Sequence, residues 1–421
     1  MGFVYFRYRY NGELVKKKID IRYLKVGMYV AELDRPWLDS PFLFQGFVVA
    51  DEAIHKSVSD FCKYVIIDNE KGDDIDPSIK HEPVQSGIVI DFKTRKRIPI
   101  TANFREELKQ AKVLHQRARN QIDSMFDDVR MGKNIDVGGA KQVVSGLVDS
   151  IVRNPDAQLW LSNLRKRDEY TAIHSLNVCI FALTFARYLG FNKEEMNEIG
   201  IGALMHDIGK MRVPLDVLNK EGELTEAERA IVREHAQHGY DILKSSPDVP
   251  DSALQIVYTH HERKKGTGYP QGLIESQIHL FSRIVAIVDV YDAITSDRVY
   301  HHGMNTLDAL KNMFKWREVD LDAELVEKFI QCLGIYPIGS LVLLSTGEVG
   351  IVLSMAPGKN LSPMVMLVCD EDKQVVAPPR VLDLSQFTKE KSDSPIEIIK
   401  VLEANSYGID LYEYIKHEVL L

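Results

Sequence analysis

The sequence predicts a multidomain α+β protein, in which a central all-α helical bundle stands between a small N-terminal α/β module and a small C-terminal β module. Apolar residues recur at helical spacing throughout residues 139–335. Short strand-like runs separated by turn residues precede and follow that region. A length of 421 residues also exceeds the usual size of one domain. We expect segment boundaries at 1–75, 76–138, 139–335 and 336–421.

The composition is that of a soluble globular protein and excludes several functional classes. Apolar residues make up 45% and charged residues 27% of the chain, which allows a sizeable core. A formal net charge of -9 argues against an extended nucleic-acid surface, because such surfaces are basic. No apolar run reaches the roughly 20 residues of a membrane span, and no signal-peptide pattern is present. Four scattered cysteines suit reduced thiols, so we expect a cytoplasmic protein.

The N-terminal module, residues 1–75, mixes predicted strands with one short helix. Strand signals lie at 25–30, 42–49 and 64–67, and residues 54–61 are predicted to be helical. The module is therefore expected to be a small α/β unit.

A linker and a long helix are predicted between this module and the bundle. Residues 72–100 are polar and contain proline, which is typical of a linker. Residues 103–130 are charged and favour helix, and we expect an exposed or interfacial helix there. At the other end of the chain, strand signals are followed by a predicted short helix near 396–404. The predicted C-terminal strands are 340–344, 350–353 and 365–368.

Helix starts within the bundle carry recognisable signals. Asn192 with Glu195, and Thr225 with Glu228, form capping-box patterns, and the second of them predicts a continuous helix through Leu243. The segment 284–294 is apolar almost all round, which predicts a buried central helix.

Histidine is unevenly distributed, with nine of thirteen between His174 and His302. Helical segments of the bundle each place a metal-ligating side chain on their core-facing stripe. These residues are His174, His206, His235, His260 and Asp289. A single buried histidine is more often satisfied by a hydrogen bond than by a metal. Several inward-facing ligands on facing helices instead match the way bundles build dinuclear metal sites, and we prefer that interpretation.

Two pairs of neighbouring residues strengthen the metal interpretation. His206 and Asp207 offer an imidazole beside a carboxylate, and a carboxylate can bridge two metals. His260 and His261 diverge on a helix, so that they can serve different metals.

Residues from about 170 to 300 resemble the HD-GYP subgroup of HD-domain phosphohydrolases. The resemblance rests on His206–Lys210, His260–Glu262, Gly268–Pro270 and Asp289–Ala293. In addition, residues 24–47 resemble the domain of unknown function that precedes some bacterial HD-GYP domains.

The resemblance implies a metal-dependent phosphodiesterase of second-messenger signalling. Its substrate would be a bacterial cyclic dinucleotide, cyclic di-GMP being opened to linear pGpG, with further hydrolysis to GMP left open. Two divalent metal ions are implied, iron first, with manganese, zinc and nickel compatible with the same ligand types. Asp207 would bridge them. The implied ligands are His174, His206, Asp207, His235, His260, His261 and Asp289.

The resemblance also implies residues that act on substrate. Lys210, which shares a catalytic role with Asp207, and Arg298 match positions that contact substrate phosphate, and Tyr269 is expected to bind substrate. For Arg298 a surface salt bridge is an equal alternative. From chemistry alone, we expect Asp292 to accept a hydrogen bond from a metal-bound histidine or to bond within its own helix.

Departures from the family pattern limit these expectations. Members with three metals carry a glutamate four residues before the first histidine, where this chain has Tyr170, so we expect two metals. Lys264-Lys265 and His301-His302 also differ from common members, and both pairs bear on substrate preference if they line the pocket.

Alternatives remain open at this stage. The enzyme is either a cyclic di-GMP phosphodiesterase or one specific for 3',3'-cyclic GMP-AMP. A non-hydrolysing dinucleotide sensor and a di-iron oxidase are less favoured, the first because the ligand set is complete and the second because of Gly268–Pro270. A homodimer or a signalling protein partner is compatible with the flanking modules.

Overall fold

A computed structural model of the chain describes residues 16–34, 46–69, 71–76, 82–83, 95, 98–162, 170–246, 248–296, 303–317, 319–354, 362–388, 394–403 and 406–409. The chain divides into two compact units, Met1–Asp91 and Phe92–Leu421. Among the helices described, none combines the length and apolarity that a membrane crossing requires.

In its described residues, the first unit forms a five-stranded antiparallel sheet with one α-helix. Its elements are β1 (Lys16–Asp20), β2 (Tyr29–Leu33), β3 (Phe47–Val48), α1 (Glu52–Phe61), β4 (Tyr64–Asp68) and β5 (Glu82–Pro83). The strand order is β3-β2-β4-β1-β5. Ile19, Val30 and Val65 are buried at its centre. Asp51 caps α1 by accepting from the Ile54 N–H at 2.8 Å.

The sequence predicted this unit in part. Strand 64–67 and helix 54–61 are confirmed. The strand predicted at 25–30 begins only at Tyr29, because Gly27 has a φ of +98° that breaks the extended chain. Of the predicted strand 42–49, residues 42–45 lie outside the described residues. Strand β1 was missed, since its run of lysines lacks an apolar alternation.

The second unit contains the helical bundle. Its helices are α2 (Phe104–Arg130), α3 (Val137–Arg153), α4 (Pro155–Ser162), α5 (Tyr170–Tyr188), α6 (Lys193–Met205), α7 (Leu215–Leu218), α8 (Glu226–Arg233), α9 (His235–Lys244), α10 (Asp251–Thr259), α11 (Leu280–Thr295), α12 (Thr306–Trp316) and α13 (Ala323–Leu333). The long helix α2 is interfacial: it buries Leu108, Ala111 and Ile122 and packs against α3, α4 and α5.

Both predicted capping boxes open their helices. The helix predicted to run from Thr225 through Leu243 is interrupted, however, and α9 begins anew at His235. There the backbone N–H of Glu234 donates to the Ile231 carbonyl oxygen, three residues back, in a turn tighter than that of an α-helix. Helix α11 is buried along most of its length, as the apolar segment 284–294 predicted.

The C-terminal part of this unit is a second antiparallel sheet. Its strands are β6 (Leu341–Leu344), β7 (Val349–Ser354), β8 (Met364–Cys369), β9 (Val375–Asp383) and β10 (Ile398–Val401), in the order β10-β6-β7-β8-β9. Val342, Val352 and Val365 lie in its core. The fold class is therefore confirmed: along the chain, one small antiparallel sheet precedes the helical centre and a second follows it.

The short helix predicted near 396–404 is wrong. Residues Ile398–Val401 pair with β6 as a strand. Ile398 and Val401 pack on the sheet core, and this tertiary contact overrides the local helical preference. Strand β9 was missed because Pro378 and Pro379 argue against a strand. An outermost strand tolerates them here, since its ladder with β8 is interrupted by a register shift between Val375 and Arg380.

Helices α6 and α10 approach closely at Gly202, which gives a first prediction. A Cβ there would lie 2.5 Å from Ile256 Cδ1 and 3.1 Å from Ala253 Cα. We expect Gly202→Ala to lower the free energy of unfolding by about 1–3 kcal/mol, because overpacking forces the helices apart. The midpoint of urea denaturation, followed by circular dichroism, measures this change.

Gly138→Ala in α3 is the matched control. A Cβ there meets only Asp136 Oδ1 at 3.4 Å. The control is expected to gain up to about 1 kcal/mol from the better helix propensity of alanine. Equal midpoints for Gly202→Ala and wild type would contradict close packing at this crossing.

Candidate metal centre

The seven ligand candidates converge from separate helices of the second unit. They are His174 on α5, His206 and Asp207 after α6, His235 at the start of α9, His260 and His261 after α10, and Asp289 on α11. Most of them stand at helix ends. Because the backbone turns there, consecutive side chains can reach one site from different directions.

A first group of donor atoms is formed by His174, His206 and Asp207, whose ligand atoms lie within 4.8 Å of one another. Asp207 Oδ2 is 3.3 Å from His206 Nε2 and 3.6 Å from His174 Nε2. Asp289 Oδ1 joins this group at 3.1 Å from His174 Nε2 and 3.8 Å from His206 Nε2. The group therefore contains two imidazoles and two carboxylates.

A second group is formed by Asp207, His235, His260 and His261, again within 4.8 Å of one another. His235 Nε2 lies 3.5 Å from Asp207 Oδ1 and 3.4 Å from His260 Nε2. His261 Nδ1 lies 4.0 Å from Asp289 Oδ2. Asp207 belongs to both groups, and it directs a different oxygen to each.

Backbone carbonyls fix the orientation of the imidazole rings. The Nδ1 atoms of His206, His235 and His260 lie 2.8, 2.6 and 3.0 Å from the carbonyl oxygens of Ala203, Val232 and Val257, respectively. A carbonyl only accepts, so each Nδ1 carries the proton and each Nε2 presents a lone pair.

A divalent cation fits the resulting arrangement. His206 Nε2 and Asp207 Oδ1 are buried and have no hydrogen-bond partner among the described residues, which is rare for native polar atoms. Both are acceptors aimed into the cluster, so a cation would satisfy them. Nitrogen and oxygen donors without a thiolate suit iron, manganese, zinc or nickel.

The ionisation of the cluster is set by burial and by neighbouring charges. Burial lowers the pKa of His235 to about 4 and that of His260 to about 3, so both rings are neutral at pH 7. Burial opposes ionisation of Asp207, yet the Lys210 ammonium and the His206 ring outweigh it and hold the pKa of Asp207 well below its usual range.

His174 is the exception among these imidazoles. Burial disfavours its charged form, but hydrogen bonds to Asp289 and Asp292 outweigh burial and raise the pKa of His174 well above the usual range. A ligating imidazole must be neutral, so a metal ion at the first group competes with the proton on His174 Nε2.

Asp292 is completely buried one turn after Asp289. Its Oδ2 lies 2.7 Å from His174 Nδ1 and accepts from Ser296 Oγ at 3.1 Å, and its Oδ1 accepts from Asn177 Nδ2 at 3.2 Å. Asp292 therefore bonds to a histidine, as expected, and also to Ser296, which caps the end of α11. Asn177 was missed, although a buried amide in an otherwise apolar helix was a usable signal.

Lys210 and Tyr269 contact different members of the cluster. Lys210 Nζ is 2.6 Å from Asp207 Oδ2, in the 3-10 segment Ile208–Arg212. The Tyr269 ring stacks on His261, with centroids 4.7 Å apart and an interplanar angle of 30°. Arg298 lies outside the described residues, as do His301 and His302.

Gly209 lets the 3-10 segment seat directly on α9. A Cβ at Gly209 would lie 2.0 Å from the His235 carbonyl oxygen and 2.5 Å from the Gly239 nitrogen. Both are backbone atoms, so a side chain at Gly209 would fit only if α9 moved away. The absence of a side chain therefore brings Asp207 within reach of His235.

Lys264 makes two hydrogen bonds to backbone carbonyls near α12. Its Nζ donates to the Arg317 carbonyl oxygen at 3.3 Å, and its backbone N–H donates to the Asp320 carbonyl oxygen. Lys265 is exposed. A role of this pair in substrate preference stays a prediction.

Comparisons with known proteins agree with this picture. Residues 158–325 match the family described as HD domain, and residues 16–140 match the domain of unknown function DUF3391. A cyclic di-GMP phosphodiesterase of Pseudomonas aeruginosa is 38% identical over 374 residues, which are 88% of this chain and 89% of that protein.

Two further relatives match shorter stretches. The cyclic di-GMP phosphodiesterase response regulator RpfG of Xanthomonas campestris pv. campestris is 38% identical over 35% of this chain and 39% of its own length. A 3'3'-cGAMP-specific phosphodiesterase of Vibrio cholerae is 34% identical over 41% of this chain and 37% of its own length.

The hydrogen bond from His174 to Asp292 gives the second prediction. Asp292→Asn keeps the side-chain size but removes the negative charge that faces His174 Nδ1. We expect metal affinity to fall about 10–100-fold, because a carboxylate behind a ligating histidine orients the ring and raises its basicity. Competition with a chromophoric chelator at fixed pH measures the dissociation constants.

Asp241→Asn, on the exposed face of α9, is the matched control and should bind metal as wild type does. Wild-type affinity in Asp292→Asn would show that Asp292 does not support His174 as a ligand.

Proposed function

The chain belongs to the HD-GYP family of HD-domain phosphohydrolases, and from that premise we propose that it hydrolyses a 3',5'-phosphodiester bond of a bacterial cyclic dinucleotide in a metal-dependent reaction. The observation that carries the proposal is the position of Asp207. Its Oδ2 lies with His174 and His206, and its Oδ1 lies with His235. A carboxylate shared in this way suits two cations side by side.

Two divalent ions are part of the proposal, with iron as the first candidate. The first would be held by His174, His206, Asp207 and Asp289, and the second by Asp207, His235, His260 and His261. Bound there, such ions would supply positive charge to the phosphoryl oxygens and activate a water at neutral pH. Four of these histidines suit this role because the Nδ1 atoms of His206, His235 and His260 face backbone carbonyls and that of His174 faces Asp292.

Lys210 would bind the phosphate as a point charge. Its ammonium lies beside Asp207, three residues along a rigid 3-10 turn, so an anionic phosphoryl group near Asp207 would be within its reach. Arg298 is proposed for the same purpose from the family pattern alone. Tyr269, stacked on His261, would form a wall of the substrate pocket.

Cyclic di-GMP is the substrate we favour. The relative that matches 88% of this chain, from Pseudomonas aeruginosa, carries that activity in its name. The second candidate is 3',3'-cyclic GMP-AMP, since a Vibrio cholerae relative is named for that specificity. The two substrates differ in one base, and the metal cluster would treat their phosphodiester bonds alike.

The third prediction concerns Asp207 itself. We expect Asp207→Asn to lower kcat for the preferred dinucleotide by at least about 10³-fold, or roughly 4 kcal/mol of transition-state stabilisation. The reason is that the amide has only one oxygen, so it cannot present a ligand atom to both groups of donor atoms. Anaerobically purified protein with measured metal content is incubated with each dinucleotide, and linear products are separated by chromatography. Asp216→Asn, an exposed aspartate in α7, is the control and should retain activity.

Metal-loaded wild type that yields no linear product from either dinucleotide would refute the proposed hydrolysis. Tight binding of a dinucleotide without turnover would support a sensor instead. Removal of metal with a chelator should abolish turnover, and re-addition should restore it.

A further inference from the structure

Glu262 follows directly after His261, yet it does not join the ligand candidates. Its carboxylate is buried, with a relative exposure of 3% for the residue, and it lies in neither donor group found in the described part of the chain. Instead it accepts hydrogen bonds from three consecutive backbone N–H groups. Gln271 and Gly272 donate to Oε1 at 2.8 and 3.1 Å, and Leu273 donates to Oε2 at 2.9 Å.

These three N–H groups belong to the loop that carries Tyr269. The first residues of this loop, Gly268 and Tyr269, also lie against the segment that follows α10. The Tyr269 N–H donates to the His261 carbonyl oxygen at 3.3 Å. A Cβ on Gly268 would lie 2.4 Å from the Arg263 nitrogen and 2.5 Å from Glu262 Cα. Only a residue without a side chain fits this approach.

The loop places an aromatic ring against the ligand cluster. The Tyr269 ring stacks on the His261 imidazole at 4.7 Å and lies 6.2 Å from the His235 ring. The guanidinium carbon of Arg233 lies 5.5 Å from the centroid of the same tyrosine. Whatever fixes the loop therefore fixes a wall beside two of the ligand candidates.

We propose that Glu262 is a positioning residue, which holds the Tyr269 loop against the metal cluster and acts on the reaction only through Tyr269. Both carboxylate oxygens accept hydrogen bonds from the loop, so the loop holds this side chain, which belongs to neither donor group of the described residues. Anionic acceptors make stronger hydrogen bonds than neutral ones, and a carboxylate is acceptor-only. It thus matches three adjacent donors better than any amide does.

The predicted effect on turnover rests on the proposed function, whereas the effect on the loop does not. Glu262→Gln keeps the side-chain length and replaces one accepting oxygen by an NH₂ group that faces a backbone donor. We expect the amide hydrogens of Gln271, Gly272 and Leu273 to exchange with solvent at least about tenfold faster, because a buried charge-assisted bond is lost. Amides of α9 and α10 should keep wild-type protection.

Glu107→Gln is the matched control. Glu107 is also a buried carboxylate, with 1% exposure, and it accepts from Ser150 and Arg153 between α2 and α3. Its substitution should leave loop exchange and turnover unchanged. Wild-type exchange at residues 271–273 in Glu262→Gln would overturn the proposal, whether or not the protein hydrolyses a dinucleotide.

A double-mutant cycle tests the route of action. With metal content matched to wild type, Glu262→Gln and Tyr269→Ala should each lower kcat/KM for the preferred dinucleotide. The double variant should fall no further than about twofold below Tyr269→Ala alone, because residues that act through one another are not additive. Losses that multiply would overturn the proposal, as would full activity in Glu262→Gln.

Discussion

The helical unit depends on the burial of one carboxylate, that of Asp207, among imidazoles from four helices. A buried charge without compensation is strongly unfavourable, and this one is 1% exposed. The Lys210 ammonium helps to offset its desolvation, but Oδ1 has no hydrogen-bond donor in the described part of the chain. A cation would satisfy this acceptor, which supports the proposed metal site over an ordinary hydrogen-bonded core. The burial of Asp207 also requires that α5, α6, α9 and α10 meet at one point.

Packing of the backbone makes this meeting possible. The α6 helix can approach α10 because Gly202 leaves room for Ile256, and the turn after α6 can rest on α9 because Gly209 has no side chain. The apolar surroundings serve a second purpose. Since burial keeps His235 and His260 neutral at pH 7, their lone pairs stay available for a cation and are not lost to protons.

The sequence predicted the helical centre and the inward His and Asp residues well, because a polar residue on an apolar stripe is a strong periodic signal. Two features lay beyond that signal. The helix break at Glu234 is marked by no glycine or proline at that position. The strand at Ile398–Val401 depends on a tertiary contact, its pairing with β6. The partners of Glu262 were equally hidden, because its loop donors are backbone atoms, which carry no sequence signature. The metal count, the metal identity and the substrate roles of Lys210 and Tyr269 stay predictions.

The three residues His260, His261 and Glu262 explain why one part of the site is continuous in sequence while the rest is scattered. Helix α10 ends at Thr259, and the chain turns so that successive side chains diverge. His260 faces His235 and His206, His261 faces Tyr269, and Glu262 faces the loop beyond it. Ligands on separate helices can be adjusted by moving a helix, but these three share one rigid turn. The backbone of this turn therefore fixes the position of the Tyr269 loop relative to the ligand cluster. A shift of the turn would displace the ligand candidates and the Tyr269 ring together.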